Sequence, residues 1–169
     1  MNGRERSAGF TLVEQLVVVA LLGLLAVLGL RQGHDTLARQ RLEAASRVVV
    51  QGIERGRLAA LRQGQPCGLA LTAEGWRGGS GNLPACAGGL EPLAEHGGAV
   101  QVEHNLPAEV RFSANGLVID GGTVVVSHAG STLRRCLVMA LPLGIVRVGR
   151  YEGQPGPPQA AACKPEAGL

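Results

Sequence analysis

One acidic side chain, Glu14, stands alone in an apolar stretch that runs from residue 10 to residue 30, and the next ionisable side chain is Arg31. A charge in so apolar a segment is costly and has to find a partner, so Glu14 is a functional-site candidate by default. The cysteines are the second chemical set: Cys67, Cys86, Cys136 and Cys163 all follow the apolar stretch. None forms a CxxC pair and no histidine lies at ligand spacing from them, which argues against a zinc site. If the apolar stretch crosses a membrane, all four sit on its far, oxidising side, where disulfides persist. Of the three possible connectivities the two sequence-local pairs, Cys67–Cys86 and Cys136–Cys163, are favoured, with four buried thiols as the competing reading.

The remaining polar residues build no catalytic constellation. His34, His96, His104 and His128 are scattered, and Ser127 beside His128 is no triad, because a triad is defined by roles in space. There is no P-loop, no HExxH and no GxGxxG opening a helix after a strand. Neither an enzyme, a metal nor a cofactor is expected. Aromatic residues are only 2% of the 169, too few for a base- or sugar-stacking platform. Trp76 is expected to pack under the glycine-rich segment around it.

Charge is uneven. Net charge is +3, yet residues 64–133 hold two basic and six acidic side chains, while 134–169 hold five basic and two acidic. The basic end contains Arg134, Arg135, Arg147, Arg150 and Lys164. Such a cluster suits an anionic partner only if several cations share one surface. Arg134 and Arg135 must point to opposite faces of a strand.

Three kinds of element have to hold these residues. Residues 10–30 span 21 positions, about 31 Å as a helix, enough to cross a bilayer core. Arg4 and Arg6 precede them, with Arg31, Arg39 and Arg41 just beyond. Residues 31–63 continue as helix, with Ala38, Leu42, Ala45, Val49, Gly52, Gly56 and Ala59 forming an apolar stripe. Gly52, Gly56 and Ala60 are four apart, and glycine in a helix makes sense where another element packs very close. Gly64 and Pro66 end the helix. Short strands are expected at 67–72, 99–104, 109–113, 117–119, 123–127, 133–140 and 144–151, separated by turns such as Asn115-Gly116 and Asp120-Gly121-Gly122, as an antiparallel meander. Residues 73–98 read as a long loop and 152–169 as an irregular tail held by Cys163.

Gly9-Phe10-Thr11-Leu12-Val13-Glu14, after a short basic leader and ahead of the apolar run, resembles the processing motif of type IV pilins and type II secretion pseudopilins. Further on, the helix tail Leu58–Pro66, the turn Phe112-Ser113-Ala114-Asn115-Gly116 and the strand Leu143–Val148 resemble the GspH/FimT branch, which includes minor pilins such as FimT and FimU. In the last of these, Ile145 stands where that branch usually has Arg. The resemblance implies an α+β pilin fold, a long N-terminal helix with its first half transmembrane, packed on a C-terminal antiparallel β-sheet domain. It divides the chain into a leader 1–9, a helix 10–63 with 10–30 in the membrane, and a globular domain 64–169. It implies cleavage between Gly9 and Phe10 by a prepilin peptidase, N-methylation of Phe10, and a contact between Glu14 and a neighbouring subunit's terminal amine. The expected partners are that peptidase, the inner membrane and other major and minor pilins or pseudopilins. The expected place is the bacterial inner membrane, single-pass with the domain in the periplasm, and then a pilus or pseudopilus, at or near its tip. Some FimT-like pilins bind DNA for uptake through C-terminal cations. Binding of double-stranded DNA through Arg134, Arg135, Arg147, Arg150 and Lys164 is therefore the alternative.

Overall fold

The computed structural model describes residues 11–79, 81–86, 92–93 and 99–166, with the side chains of 28–34 also outside the description. Helix α1 runs Leu12–Gln63. Among the described residues eight strands follow: β1 Cys67–Thr72, β2 Gly75–Gly78, β3 Val100–His104, β4 Val110–Phe112, β5 Gly122–His128, β6 Arg134–Ala140, β7 Ile145–Tyr151 and β8 Cys163–Pro165. The chain divides into two compact units, 1–36 and 37–169. In the first, every described side chain from Thr11 to Val27 is exposed. Among the described residues no helix is long and apolar enough to cross a membrane; Phe10 and residues 28–30 of the expected span lie outside the described side chains.

The second unit is an α+β domain. Its helical part, from Leu37 onward, buries Ala38, Leu42, Ala45, Ser46, Val48, Val49, Gly52, Ile53, Gly56, Ala59 and Ala60, the expected stripe widened by Ser46, Val48, Ile53 and Ala60. Gly64 at φ 61° closes the helix, a left-handed conformation that glycine takes without a Cβ penalty.

The antiparallel strands form two sheets rather than one meander. Three strands run in the order β2-β1-β4, and five in the order β3-β5-β6-β7-β8. β1 breaks the sequential order by pairing with β4, Cys67 opposite Phe112. Only β5 to β8 form a run of neighbours in chain order. Residues 73–98 are not all loop, because Gly75–Gly78 folds back on β1, with Trp76 opposite Leu71. The Trp76 ring lies on the helix at Gly52, its indole N–H donates to the Val49 carbonyl oxygen at 3.0 Å, and it shares a buried cluster with Cys86 and Leu93 of that segment. A Cβ on Gly52 would enter that ring, and one on Gly56 would lie 2.7 Å from the Phe112 ring. The close approach expected of the helical glycines is made by these two aromatics. Leu117–Ile119 is not a strand: Val118 makes an isolated bridge to Phe112.

The main core lies between α1 and the inner sheet faces, and includes Leu42, Val49 and Ile53 with Leu69, Trp76, Phe112, Val124, Val126 and Leu137. A smaller core of Val125, Cys136, Tyr151 and Cys163 covers the other face of the five-stranded sheet. With both faces covered, Val124, Val125 and Val126 are all buried, which explains why β5 reads as continuous rather than alternating valine. The cover comes from the tail. Cys163 is joined to Cys136 across a Cα separation of 5.7 Å. The Gln159 N–H donates to the Tyr151 hydroxyl at 3.2 Å, and Asn105 donates to the Pro158 carbonyl oxygen at 2.9 Å. The tail is thus ordered, with a 3₁₀ turn at Ala160–Ala162 and β8 paired to β7. Cys67 is joined to Cys86 with a Cα separation of 4.9 Å.

Candidate functional site

Glu14 lies in the first turn of α1. Thr11 caps that turn: its hydroxyl accepts from the Glu14 N–H at 3.3 Å and its carbonyl oxygen from the Gln15 N–H at 3.2 Å. Thr11-Leu12-Val13-Glu14 has the spacing of a capping box, so the same short stretch that looks like a processing signal also starts the helix. The Glu14 carboxylate meets no cation among the described residues, and the apolar side chains around it, Leu12 at 75% exposure among them, are uncovered. An acid at a helix N-terminus is favoured by the dipole, but the apolar faces need lipid or another chain. Gly9 and Phe10 fall outside the described residues.

The cations of the basic end are not one surface. β6 and β7 are in register with Arg135 opposite Arg150 and Val138 opposite Arg147, and β8 sets Lys164 opposite Arg150. Directly opposed residues share a face, and faces alternate along a strand. Arg135, Arg150 and Lys164 therefore face the helix side, while Arg134 and Arg147 face the other.

Two of the five are also committed within the domain. Arg134 donates to the Gly153 carbonyl oxygen and to Glu103, both at 3.1 Å, and lies 4.7 Å over the Tyr151 ring. Arg135 bridges Glu43 of the helix and Glu166 of the tail, the latter at 2.7 Å. Burial is the largest single influence on the Arg135 guanidinium and opposes its charge. Hydrogen bonds and charge from Glu166 and Glu43 outweigh it together and hold the pKa above the ordinary guanidinium value. Arg147, Arg150 and Lys164 remain without an ionic partner among the described residues.

Glu43, Glu103 and Glu166 escaped the sequence reading. Arg135 is 92 residues from Glu43, and no local pattern connects positions so far apart. Another ion pair closes the β4–β5 connection: Arg111 holds Asp120 by two hydrogen bonds of 2.8 Å, and its backbone N–H adds a third at 3.1 Å. The Arg111 side-chain hydrogen bond is the main reason the Asp120 carboxyl titrates below its ordinary range.

Among the described residues the histidines form no site; His96 and the His34 side chain lie outside them. His104 Nε2 lies 3.2 Å from the Leu71 carbonyl oxygen and His128 Nδ1 accepts from the Gly130 N–H at 3.0 Å. Ser127 and His128 are consecutive on β5 and so point to opposite faces. Among the described residues no cluster of acidic, His or Cys side chains could hold a metal ion.

Two family models match the chain. Type II transport protein GspH covers residues 45–142, more than half of the sequence, and the prokaryotic N-terminal methylation motif covers residues 4–30. No curated protein and no solved structure gives a match.

Proposed function

The chain belongs to the GspH family of pilin-type proteins and carries their N-terminal methylation motif, and from that premise we propose that it is a minor, non-enzymatic subunit of a type IV pilus or type II secretion pseudopilus, placed at or near the tip. The observation that carries the proposal is the 52-residue helix that opens with Glu14 among exposed apolar side chains, inside a chain matched at both ends of that helix by pilin-type models. Residues 1–9 are the leader, 10–63 the assembly helix with 10–30 in the inner membrane, and 64–169 the periplasmic domain.

Cleavage by a prepilin peptidase after Gly9 leaves Phe10 as the new N-terminus, which is then methylated. Its amine is protonated near neutral pH. Glu14 of an adjacent subunit receives that ammonium as the helices leave lipid and pack together, because a carboxylate moved from water into an apolar bundle is tolerated only with a cation beside it. Apolar burial then drives packing and the ion pair sets register. Glu14→Ala should insert into the membrane as the parent does and lose most incorporation into filaments. Normal incorporation of that variant overturns the mechanism, and a native N-terminus found at Met1 overturns the family reading of 1–9.

Uptake of double-stranded DNA draws less support. Arg134 and Arg135 are already neutralised by Glu103, Glu43 and Glu166, and Arg147 faces away from Arg150 and Lys164. A phosphate-tracking surface would rest on Arg150 and Lys164 alone on one face and Arg147 alone on the other.

A further inference from the structure

At one end of the domain the folded chain leaves a group of aliphatic side chains uncovered. Leu61 on the last helical turn, Leu117 and Ile119 after β4, and Leu141, Leu143 and Ile145 around the β6–β7 turn are each between 38% and 59% exposed. Three close approaches bring them together. A Cβ on Gly116 would lie 2.7 Å from Leu61 Cγ. The Val118 N–H donates to the Pro142 carbonyl oxygen at 2.9 Å, and Gly144 is packed against Val118 and Arg57. A Cβ on Gly121 would lie 3.1 Å from Leu141 Cγ. The alternate residues Gly116, Val118 and Gly144 are buried, so these loops hold a set face outward. Beside Leu141 a cleft of about 350 Å³ opens between Gly122, Val138 and Ala160. Neighbouring exposed aliphatics with an adjoining cleft are the mark of an interaction site.

The charge at the rim says what would cover it. Arg57 is paired with Glu54, and Arg111 with Asp120. Arg62, next to Leu61, and Arg147, on the Ile145 face of β7, have no ionic partner among the described residues, so the rim is left positive. We propose that this end of the domain docks the globular domain of a different subunit of the same assembly, one that presents an apolar centre ringed by carboxylates. The proposal rests on the reading of the chain as a pilin-type subunit, and it means that another subunit lies over this face.

Two other occupants fit less well. A two-fold contact with a second copy would set Arg62 and Arg147 against like charges. A head-to-tail contact would need an acid-rimmed apolar face elsewhere on the same domain. Among the described residues the other exposed large apolar side chains are those of the 12–27 stretch, Leu37, Leu58 and Val148; Leu58 lies one turn before Leu61, at the same arginine-rimmed end, which leaves Leu37 and Val148 as single residues on different elements. A lipid surface suits apolar residues with a basic rim, but membrane-interface faces are marked by Trp and Tyr, and here Trp76 and Tyr151 are both buried.

The test places a photo-crosslinking amino acid at Leu117 or Leu143 of the full chain in cells that assemble the filament, and identifies the attached mass. A crosslink to the globular domain of another pilin-type subunit is expected. Pairwise binding of that subunit to the detergent-solubilised full chain should fall about tenfold or more in Leu117→Asp and Leu143→Asp, the loss typical of a central apolar contact. Arg62→Glu should weaken binding too, with recovery when the facing carboxylate is changed to Arg. Gln101→Asp, on an exposed position of β3, serves as the control, and retention of both disulfides and of the parent melting temperature shows that the variants fold. A fatty-acyl adduct, a crosslink to a second copy, or no adduct in filament-forming cells overturns the proposal. If Phe10 is the mature N-terminus and no adduct forms, only the docking face fails; if Met1 is retained, the pilin reading fails whatever the adduct.

Discussion

At the scale of single residues, glycine acts here against its usual sign. Replacing a glycine inside a helix by alanine ordinarily stabilises by about 0.5–1 kcal/mol. At Gly52 the added methyl would enter the Trp76 indole, and at Gly56 it would press on Phe112 and Leu69. Gly52→Ala and Gly56→Ala are therefore expected to destabilise by about 1–3 kcal/mol, the range for overpacked cores, seen as a lower melting temperature, and a stabilised variant would refute the packing. Asp120 supplies a pH signature. Its folded pKa lies below the ordinary value of 3.8, mainly through the Arg111 hydrogen bond. The pair thus contributes in full above the ordinary carboxylate range, and its contribution is lost as pH falls through the lower folded value. Denaturation midpoints measured between neutrality and strong acid should fall more steeply below that range in the parent than in Asp120→Asn.

At the scale of elements, the C-terminal tail is held by several weak ties and one strong one. Residues 152–165 cover the outer face of the five-stranded sheet, and the Cys136–Cys163 bond, the β7–β8 pairing and the Tyr151 and Asn105 hydrogen bonds share the task. Cys136→Ser with Cys163→Ser should cost about 2–4 kcal/mol and raise amide exchange across 152–165 ahead of the β5 and β6 core. Exchange unchanged in that tail would show that the non-covalent ties suffice. Arg135 joins helix, sheet and tail through Glu43 and Glu166. Glu43→Gln is expected to destabilise by about 1.5–3 kcal/mol, the range for hydrogen bonds to charged groups, as read from a chemical denaturation curve.

At the scale of the molecule, the chain holds two units with different needs. Residues 37–169 form a compact unit with both cores and both disulfides. That unit, produced alone in an oxidising compartment, is expected to unfold in one cooperative transition. A graded transition would show that the preceding 36 residues contribute to its core. The stretch 12–27 leaves its apolar side chains uncovered along its described length, and the proposed function supplies their cover, first lipid and then neighbouring helices. The domain carries a second uncovered apolar surface of a different kind, built from loops and rimmed with arginine, and that one is matched to a protein face.

The sequence by itself determined whatever depends on neighbours along the chain. The helix and its glycine stop, β1 at Cys67–Thr72 and the approximate limits of β3 to β7 follow from local periodicity, turn residues and proline, and the Gly9–Glu14 motif is local too. Only the tertiary structure decided what depends on distant pairing. Two sheets replaced one meander because β1 pairs with β4. The strand at Trp76 and the ordered tail were invisible because β2 is four residues long and β8 three, and each is held by partners outside itself. The same limit applied to the charges: a run of arginines near the C-terminus is legible, but which are neutralised depends on acids on other elements. Local chemistry is written in spacing of a few residues, whereas an ion pair across 92 positions exists only once the backbone has folded and brought its two ends together.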